Sequence, residues 1–311
     1  MRTRRGGSIF VATTLAALVV APNAAGASGD LDLVAHQGGP GNTGTGESLP
    51  AFANALETGV STVELDIGIT KDRQPVVWHD EAIDPQKCAD TSPVFAGDPQ
   101  YPYLGKLVHD LTLAQVRTLN CGNKIATLPE VFALTKQYDA DVRYDIETKV
   151  DAEQPSRTAS PETFVDVILG VVRAAGEVGR VEIESFDWRT LPLVHRAEPS
   201  IPLVTLWDEQ TWKADSPWLA GVNAAAFDPV IGSMMVGATI LSPEYSLVDR
   251  TLVDRAHALG LRIFPWTVDD ADDMRVQIAN GVDGIITNYP AVLRSLLAEL
   301  GMSLPRPYHR N

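Results

Sequence analysis

The sequence predicts an α/β chain closed into a (β/α)8 barrel, one domain with a single loop insertion after the second strand. Eight short apolar runs alternate with amphipathic helical patterns through residues 28–311, the strand–helix count of a closed parallel barrel. An open doubly wound sheet would also alternate, but no GxGxxG follows the first strand. The alternation is interrupted once, by the aperiodic residues 81–128.

The candidate strands are 32–36 (DLVAH), 62–67 (TVELDI), 142–147 (VRYDIE), 181–186 (VEIESF), 201–206 (IPLVTL), 223–227 (NAAAF), 261–266 (LRIFPW) and 283–287 (DGIIT). Helical patterns fit 48–58, 129–138, 161–175, 188–197, 246–259, 270–280 and 290–299. They carry Pro or Asp near their starts and Gly at their ends, as at Gly260 and Gly281. A further extended run, 75–79 (PVVWH), follows residues 62–70 after only four residues. That link is too short for a parallel crossover, so the two runs form an antiparallel hairpin. If Thr70 opposes Pro75, Asp66 opposes His79, and the second histidine folds back beside the acidic pair.

Residues 81–128 are rich in Pro, Gly, Tyr and Asp. They read as an excursion over the barrel mouth that walls the pocket, since sites of such barrels lie at the carboxyl ends of the strands. The excursion holds the two cysteines, Cys88 and Cys121. In an oxidising compartment they pair, and closing that loop contributes about 3–4 kcal/mol by the chain-entropy model. No repeat, linker or charge block separates a second domain.

The first 27 residues have the form of a secretory signal. Arg2, Arg4 and Arg5 precede an apolar run from Ile9 to Val20, and Ala25-Gly26-Ala27 supplies a cleavage site before Ser28. The run is short for a bilayer span, and no cysteine follows it to accept a lipid anchor. The expectation is a secreted protein, cut after Ala27, without a stable membrane anchor. With 25 basic and 40 acidic residues the net charge is −15; loss of the three arginines takes it to −18. Such a chain lacks the basic surface that nucleic acid or anionic lipid requires. An anionic substrate would need a local positive field, most simply from a metal ion.

The chemistry sits at strand ends. His36 ends the first strand and His79 the hairpin. Glu64 and Asp66 share one face of the second strand, and Asp145, Glu147 and Lys149 share one face of the third, because strand side chains alternate. Glu64, Asp66 and Glu147 make an all-oxygen set suited to Ca²⁺ or Mg²⁺ rather than zinc. Lys149 supplies a point charge for a phosphate oxygen. A lone histidine or glutamate at a strand end is usually a solvated rim residue; this joint placement argues for acid/base chemistry on a charged ester. His109, His195, His257 and His309 lie in helical or loop contexts and read as surface residues.

The set His36-Gln37-Gly38, Glu47-Ser48, Glu64-Leu65-Asp66, Thr70-Lys71-Asp72 and Trp78-His79-Asp80 resembles the glycerophosphodiester phosphodiesterase family. The resemblance continues through Glu147-Thr148-Lys149, Glu184-Ser185-Phe186-Asp187, Pro265-Trp266-Thr267-Val268 and Gly281 to Pro290, in order over nearly the whole chain. It implies a TIM barrel that hydrolyses glycerophosphodiesters to an alcohol and glycerol phosphate. It implies His36 and His79 as general acid and base, and a divalent ion held by Glu64, Asp66 and Glu147. It also implies substrate contacts from Lys149 at the phosphate, Trp266 near the glycerol, and Glu47. The residues alone would make Trp266 barrel core.

Two departures stand out. Gln37 occupies the place of the family's arginine, removing a bidentate phosphate donor. Glu47-Ser48-Leu49 replaces the usual ENT, after a Gly-rich approach over 38–44 whose N–H groups could cradle phosphate instead. The substrate would be a small glycerophosphodiester or a glycerol-phosphate polymer. Rival readings are a phospholipase D- or C-like lyase on intact lipid, with Tyr101-Pro102-Tyr103 and Trp212 to Trp218 as lipid-facing aromatics, and a non-catalytic phosphate- or carbohydrate-binding barrel.

Overall fold

A computed structural model describes residues 30–310, without the side chains of 42 and 43. The signal segment 1–27 and its cleavage after Ala27 lie outside the described residues. In chain order the strands are β1 (Asp32–Ala35), β2 (Thr62–Ile69), β3 (Pro75–Val77), β4 (Arg143–Thr148), β5 (Val181–Ser185), β6 (Leu203–Trp207), β7 (Ile240–Pro243), β8 (Arg262–Ile263) and β9 (Gly284–Thr287). Eight of them form a parallel row, β8-β7-β6-β5-β4-β2-β1-β9. Backbone N–H groups of Asp283 and Ile286 donate to the carbonyls of Ile263 and Pro265, each at 3.0 Å, and so join the ends of the row. The expected (β/α)8 barrel is the fold of this chain.

Helices α1 (Pro40–Thr43), α2 (Leu49–Thr58), α3 (Leu113–Val116), α4 (Leu128–Gln137), α5 (Pro161–Ala175), α6 (Thr190–Ala197), α7 (Pro229–Met235), α8 (Arg250–Ala258), α9 (Ala271–Asn280) and α10 (Pro290–Glu299) complete the element order. Their apolar faces and the outer faces of the strands make the main core, with Phe52, Phe132, Phe164 and Trp188 among its largest members. A smaller core fills part of the barrel interior: Val34, Val204, Ile240, Phe264 and Ile286. At the amino-terminal end, Arg143 pairs with Asp32 (2.5 Å) and Glu182 (3.2 Å), and Arg262 pairs with the same two acids at 3.4 Å.

Three local expectations are corrected. The sixth barrel strand is 240–243, not 223–227. Asn223 accepts the Ala225 N–H on its side chain and the Ala226 and Phe227 N–H groups on its carbonyl, so NAAAF coils into turns. Asp228 then caps α7, a helix the pattern did not suggest. Helix α8 starts at Arg250 rather than 246, because Asp249 accepts the Leu252 N–H at 2.8 Å. The β2–β3 hairpin forms, with Ile69 opposite Pro75 and Ile67 opposite Val77, and Trp78 N–H donates to Asp66 O. His79 is therefore one residue past the partner of Asp66. The slip comes from a three-residue turn: Thr70 pairs with Gln74, and Arg73 takes a positive φ of 60°.

Residues 81–128 pack around an apolar cluster of Ile83, Tyr103, Val108, Leu111 and Ile125, which Trp78 joins from the end of the hairpin. Cys88 and Cys121 are disulfide-bonded within it. Buried Asp98 accepts from Tyr103 Oη, Gln115 Nε2 and the Gln100 N–H, at 2.7–2.9 Å, so the segment is a packed unit rather than a loose loop.

Candidate active site

The carboxyl ends of the strands bring His36, His79, Glu147, Lys149, Glu184 and Trp266 around one cavity of about 230 Å³. A wider cleft of about 630 Å³ shares His79, Glu147, Lys149 and Phe186 with it. The insertion walls that cleft through residues 81–85, Lys87 and Gly105, and Arg157 and Trp218 lie on its other sides.

Each histidine is held by a neighbour. His36 Nδ1 lies 2.7 Å from Asn288 Oδ1, while Asn288 Nδ2 donates to Asp269 Oδ2 at 2.8 Å and its backbone N–H to Asp269 Oδ1 at 2.9 Å. Because the Asn288 amide gives its NH₂ to Asp269, its oxygen faces His36, and Nδ1 carries the proton. Nε2 is left with a lone pair, 3.9 Å from Glu64 Oε2. Burial lowers the His36 pKa, partly offset by Asp66 and by the Asn288 bond. His79 is half exposed; its Nδ1 is 2.9 Å from Asp80 Oδ1, and Asp80 Oδ2 is tied to Lys87 Nζ at 2.5 Å. The two imidazoles are thus oriented by an amide and by a carboxylate.

The carboxylates form the other half. Asp66, Glu147 and Glu184 are register partners across β2, β4 and β5, and Glu64, Asp145 and Glu182 are partners one step below. All six are buried. Lys149 Nζ pairs with Glu147 at 2.8 Å and Asp66 at 3.5 Å. Burial pushes the Glu147 carboxyl up to about 8, opposed by Lys149 and helped by Asp66. Burial also raises Glu64, Asp145 and Glu184, each reinforced by a neighbouring carboxylate. Asp66 goes the other way: burial raises it, but Lys149 and the two histidines outweigh burial and hold it low. Lys149, which burial alone would discharge, is held charged by Glu147 and Asp66.

Oxygens of Glu64, Glu147 and Glu184 lie within 4.8 Å of one another. Glu64 Oε1 and Glu184 Oε2 are buried with no hydrogen-bond partner among the described residues. An all-carboxylate set with orphaned oxygens fits a hard divalent cation. Glu64 and Glu147 are in this group as the sequence suggested. Glu184 joins them; Asp66, bound by Gln37 Nε2 (2.8 Å) and Lys149, lies outside this triad but also keeps one buried oxygen, Oδ1, without a hydrogen-bond partner among the described residues.

The remaining expected residues fall as follows. Gln37 adopts a positive φ of 51° and donates its backbone N–H to Glu64 Oε2 at 2.6 Å, so it braces the acids. Three N–H groups of the Gly-rich approach are already used: Gly39 donates to His36 O, Gly41 to Asn288 O and Gly44 to Pro40 O. That loop is therefore a packed turn more than a phosphate cradle, and Gly38, at φ +77°, leaves no room for a Cβ beside Phe52. Glu47 Oε2 accepts the His79 backbone N–H at 2.9 Å. Burial and the Asp66 charge raise its carboxyl. Trp266 anchors its Nε1–H on Ser242 O at 2.7 Å and packs edge-on against Phe186 at 5.2 Å; Phe186 meets Trp218 at 6.5 Å. It belongs to both interior core and pocket wall. Of the suggested lipid-facing aromatics Tyr103 is buried, Trp212 packs on Trp188, Tyr101 is exposed away from the cleft lining, and Trp218 lines the cleft.

Sequence reasoning gave no role to Glu184, Asn288 or Asp269. The i, i+2 glutamates of VEIES repeat the spacing of Glu64/Asp66 and could have marked Glu184. Nothing local marks Asn288, which is 252 residues from the histidine it holds.

Fold and site define a barrel hydrolase of anionic esters. The chain belongs to the glycerophosphoryl diester phosphodiesterase family, whose model matches residues 36–292. It is 28% identical to a glycerophosphodiester phosphodiesterase of Caldanaerobacter subterraneus, over 86% of this chain and 98% of that protein. It is 26% identical to one of Bacillus subtilis, over 93% and 97%. Among solved structures, a putative glycerophosphoryl diester phosphodiesterase of Silicibacter pomeroyi superposes with a TM-score of 0.75 at 24% identity, covering 89% of this chain and 96% of that one. An Oleispira antarctica phosphodiesterase in complex with the product sn-glycerol-3-phosphate superposes with a TM-score of 0.64 at 17% identity, over 85% and 96%.

Proposed function

We propose that the protein is a secreted, divalent-cation-dependent phosphodiesterase that hydrolyses glycerophosphodiesters to an alcohol and glycerol phosphate, with His36 and His79 as base and acid. The observation that carries this reading is the convergence on one cavity of two oriented imidazoles, a charged lysine and a buried carboxylate group. Glu64, Asp66 and Glu147 would hold the cation, which when bound offsets the negative charge of the phosphoryl oxygens. Lys149 adds a fixed positive charge on the same side. The attacking hydroxyl, from water or from the glycerol itself, gives its proton to His36 Nε2, the nitrogen that Asn288 leaves unprotonated. As the new P–O bond forms, the ester P–O bond breaks and His79 protonates the departing alkoxide. His79 lines both the cavity and the wider cleft, the side from which an alcohol can leave. If the glycerol hydroxyl attacks first, water opens the resulting cyclic phosphate with the two histidines exchanging roles. Trp266 and Phe186 form an apolar wall for the glycerol carbons.

The disulfide supports export to an oxidising compartment, and no helix among the described residues is long and apolar enough to cross a membrane. Mass spectrometry of culture supernatant should find a chain starting at Ser28; a cell-retained chain starting at Met1 would refute export. For the chemistry, the test is product analysis with a panel of small glycerophosphodiesters, a glycerol-phosphate polymer and phospholipid vesicles. Release of glycerol phosphate from small diesters supports the reading, and turnover of vesicles alone would move it to the lipid lyase.

A further inference from the structure

We infer that Glu184, on β5, is a ligand of the divalent cation alongside Glu64 and Glu147, and that it biases the site toward calcium over magnesium. The inference rests on the ion-dependent reading above and deepens it. The comparison with Glu182, two residues earlier on the same face of the same strand, carries the argument. Glu182 is neutralised by Arg143 and Arg262, at 3.2 and 3.4 Å. Glu184 has no ion pair among the described residues, is 2% exposed, and leaves Oε2 without a partner. Lys149, which lines the same cavity, is taken by Glu147 and Asp66. A buried carboxylate facing two others must find a cation or keep a proton. One of its oxygens falls within 4.8 Å of ligand oxygens on both Glu64 and Glu147, so one ion can reach all three. Magnesium demands a compact octahedron, usually keeps several waters and takes one or two carboxylates; calcium accepts more oxygens, including bidentate carboxylates, in a looser shell. A further carboxylate therefore favours calcium. The competing fate of Glu184 is to keep a proton, favoured by burial and by the neighbouring Asp145 carboxylate.

Two measurements on the whole mature chain decide between them. Titration calorimetry with calcium and with magnesium, on wild type and Glu184→Gln, should show calcium affinity falling at least about tenfold and the calcium-to-magnesium preference shrinking. Circular dichroism establishes that the variant is folded. Anomalous diffraction from wild-type crystals grown with calcium should place the ion about 2.3–2.6 Å from an oxygen of Glu184, which holds whether or not the variant folds. An ion bound by Glu64 and Glu147 with Glu184 remote, or unchanged affinity in a folded variant, overturns this inference and leaves the phosphodiesterase reading intact. A wild-type protein that binds neither ion overturns the cation dependence itself.

Discussion

The two sides of the barrel interior are built on opposite principles. Strands β2, β4 and β5 turn Glu64, Asp66, Asp145, Glu147, Glu182 and Glu184 inward. Across the interior, Val34, Val204, Ile240, Phe264 and Ile286 close into an apolar cluster. The apolar side stabilises the fold by ordinary burial, about 25 cal/mol per Å² of surface removed from water. The acidic side gains nothing of that kind. Like charges at register positions repel, and each buried carboxylate is costly until it finds a proton or a cation. The arginines at the amino-terminal end settle that cost permanently for Asp32 and Glu182. At the carboxyl end it is left to be settled by a lysine and a dissociable ion. Stability and function thus divide the barrel lengthwise, and substitutions should separate them.

The sharpest separation is expected at the histidines. His36→Ala or His79→Ala should lower the turnover rate by about 10²–10⁴ while leaving the melting temperature nearly in place; steady-state kinetics beside calorimetry checks both. Losses under tenfold at both positions would sink the acid/base assignment. The opposite signature belongs to the apolar side. Phe264→Ala should cost about 3–5 kcal/mol in denaturant unfolding, with kcat of the surviving folded fraction close to wild type. If the two variants showed similar profiles, the lengthwise division would be wrong.

Ion removal should weaken the acidic side in a pH-dependent way. The Glu147 carboxyl, raised by burial from 4.5 to about 8, binds its proton more tightly in the folded chain than in the unfolded one. Its contribution is complete below about pH 4.5 and is lost as pH rises toward 8. In chelator, therefore, the melting temperature should fall between pH 5 and pH 8, and saturating calcium should flatten that slope by binding the ionised form. Melting curves that ignore both chelator and pH would show that these carboxyls are satisfied by the protein alone. The smallest effect is expected at Gln37. Gln37→Arg exchanges the brace on Asp66 for a bidentate phosphate donor, and KM for a small diester should drop a few-fold, worth roughly 1 kcal/mol. A rise in KM would show that bracing Asp66 matters more than an added phosphate contact.

Much of this was legible in the chain. Alternation along β2 and β4 placed Glu64, Asp66, Glu147 and Lys149 on one face from spacing alone, and barrel geometry sent them to one end. What the sequence hid is of three physical kinds. Local turn chemistry shifted the hairpin by one residue, through Thr70 and Arg73. An alanine-rich run looked like a strand until Asn223 coiled it, while the true strand at 240–243 was short enough to pass unnoticed. Partnerships across the barrel, such as Asn288 with His36 or Gln37 with Asp66, depend on closure of the sheet and leave no local trace.

The central claim is that this acidic mouth becomes a phosphodiesterase site when a divalent cation enters it. The most direct measurement is glycerol phosphate release from glycerophosphodiesters by residues 28–311, with chelator and then with calcium or magnesium restored. The account predicts release that chelator abolishes and the cation restores, lost again in His36→Ala with the cation present. Undiminished release in chelator, or none with either cation from a folded protein, would contradict it.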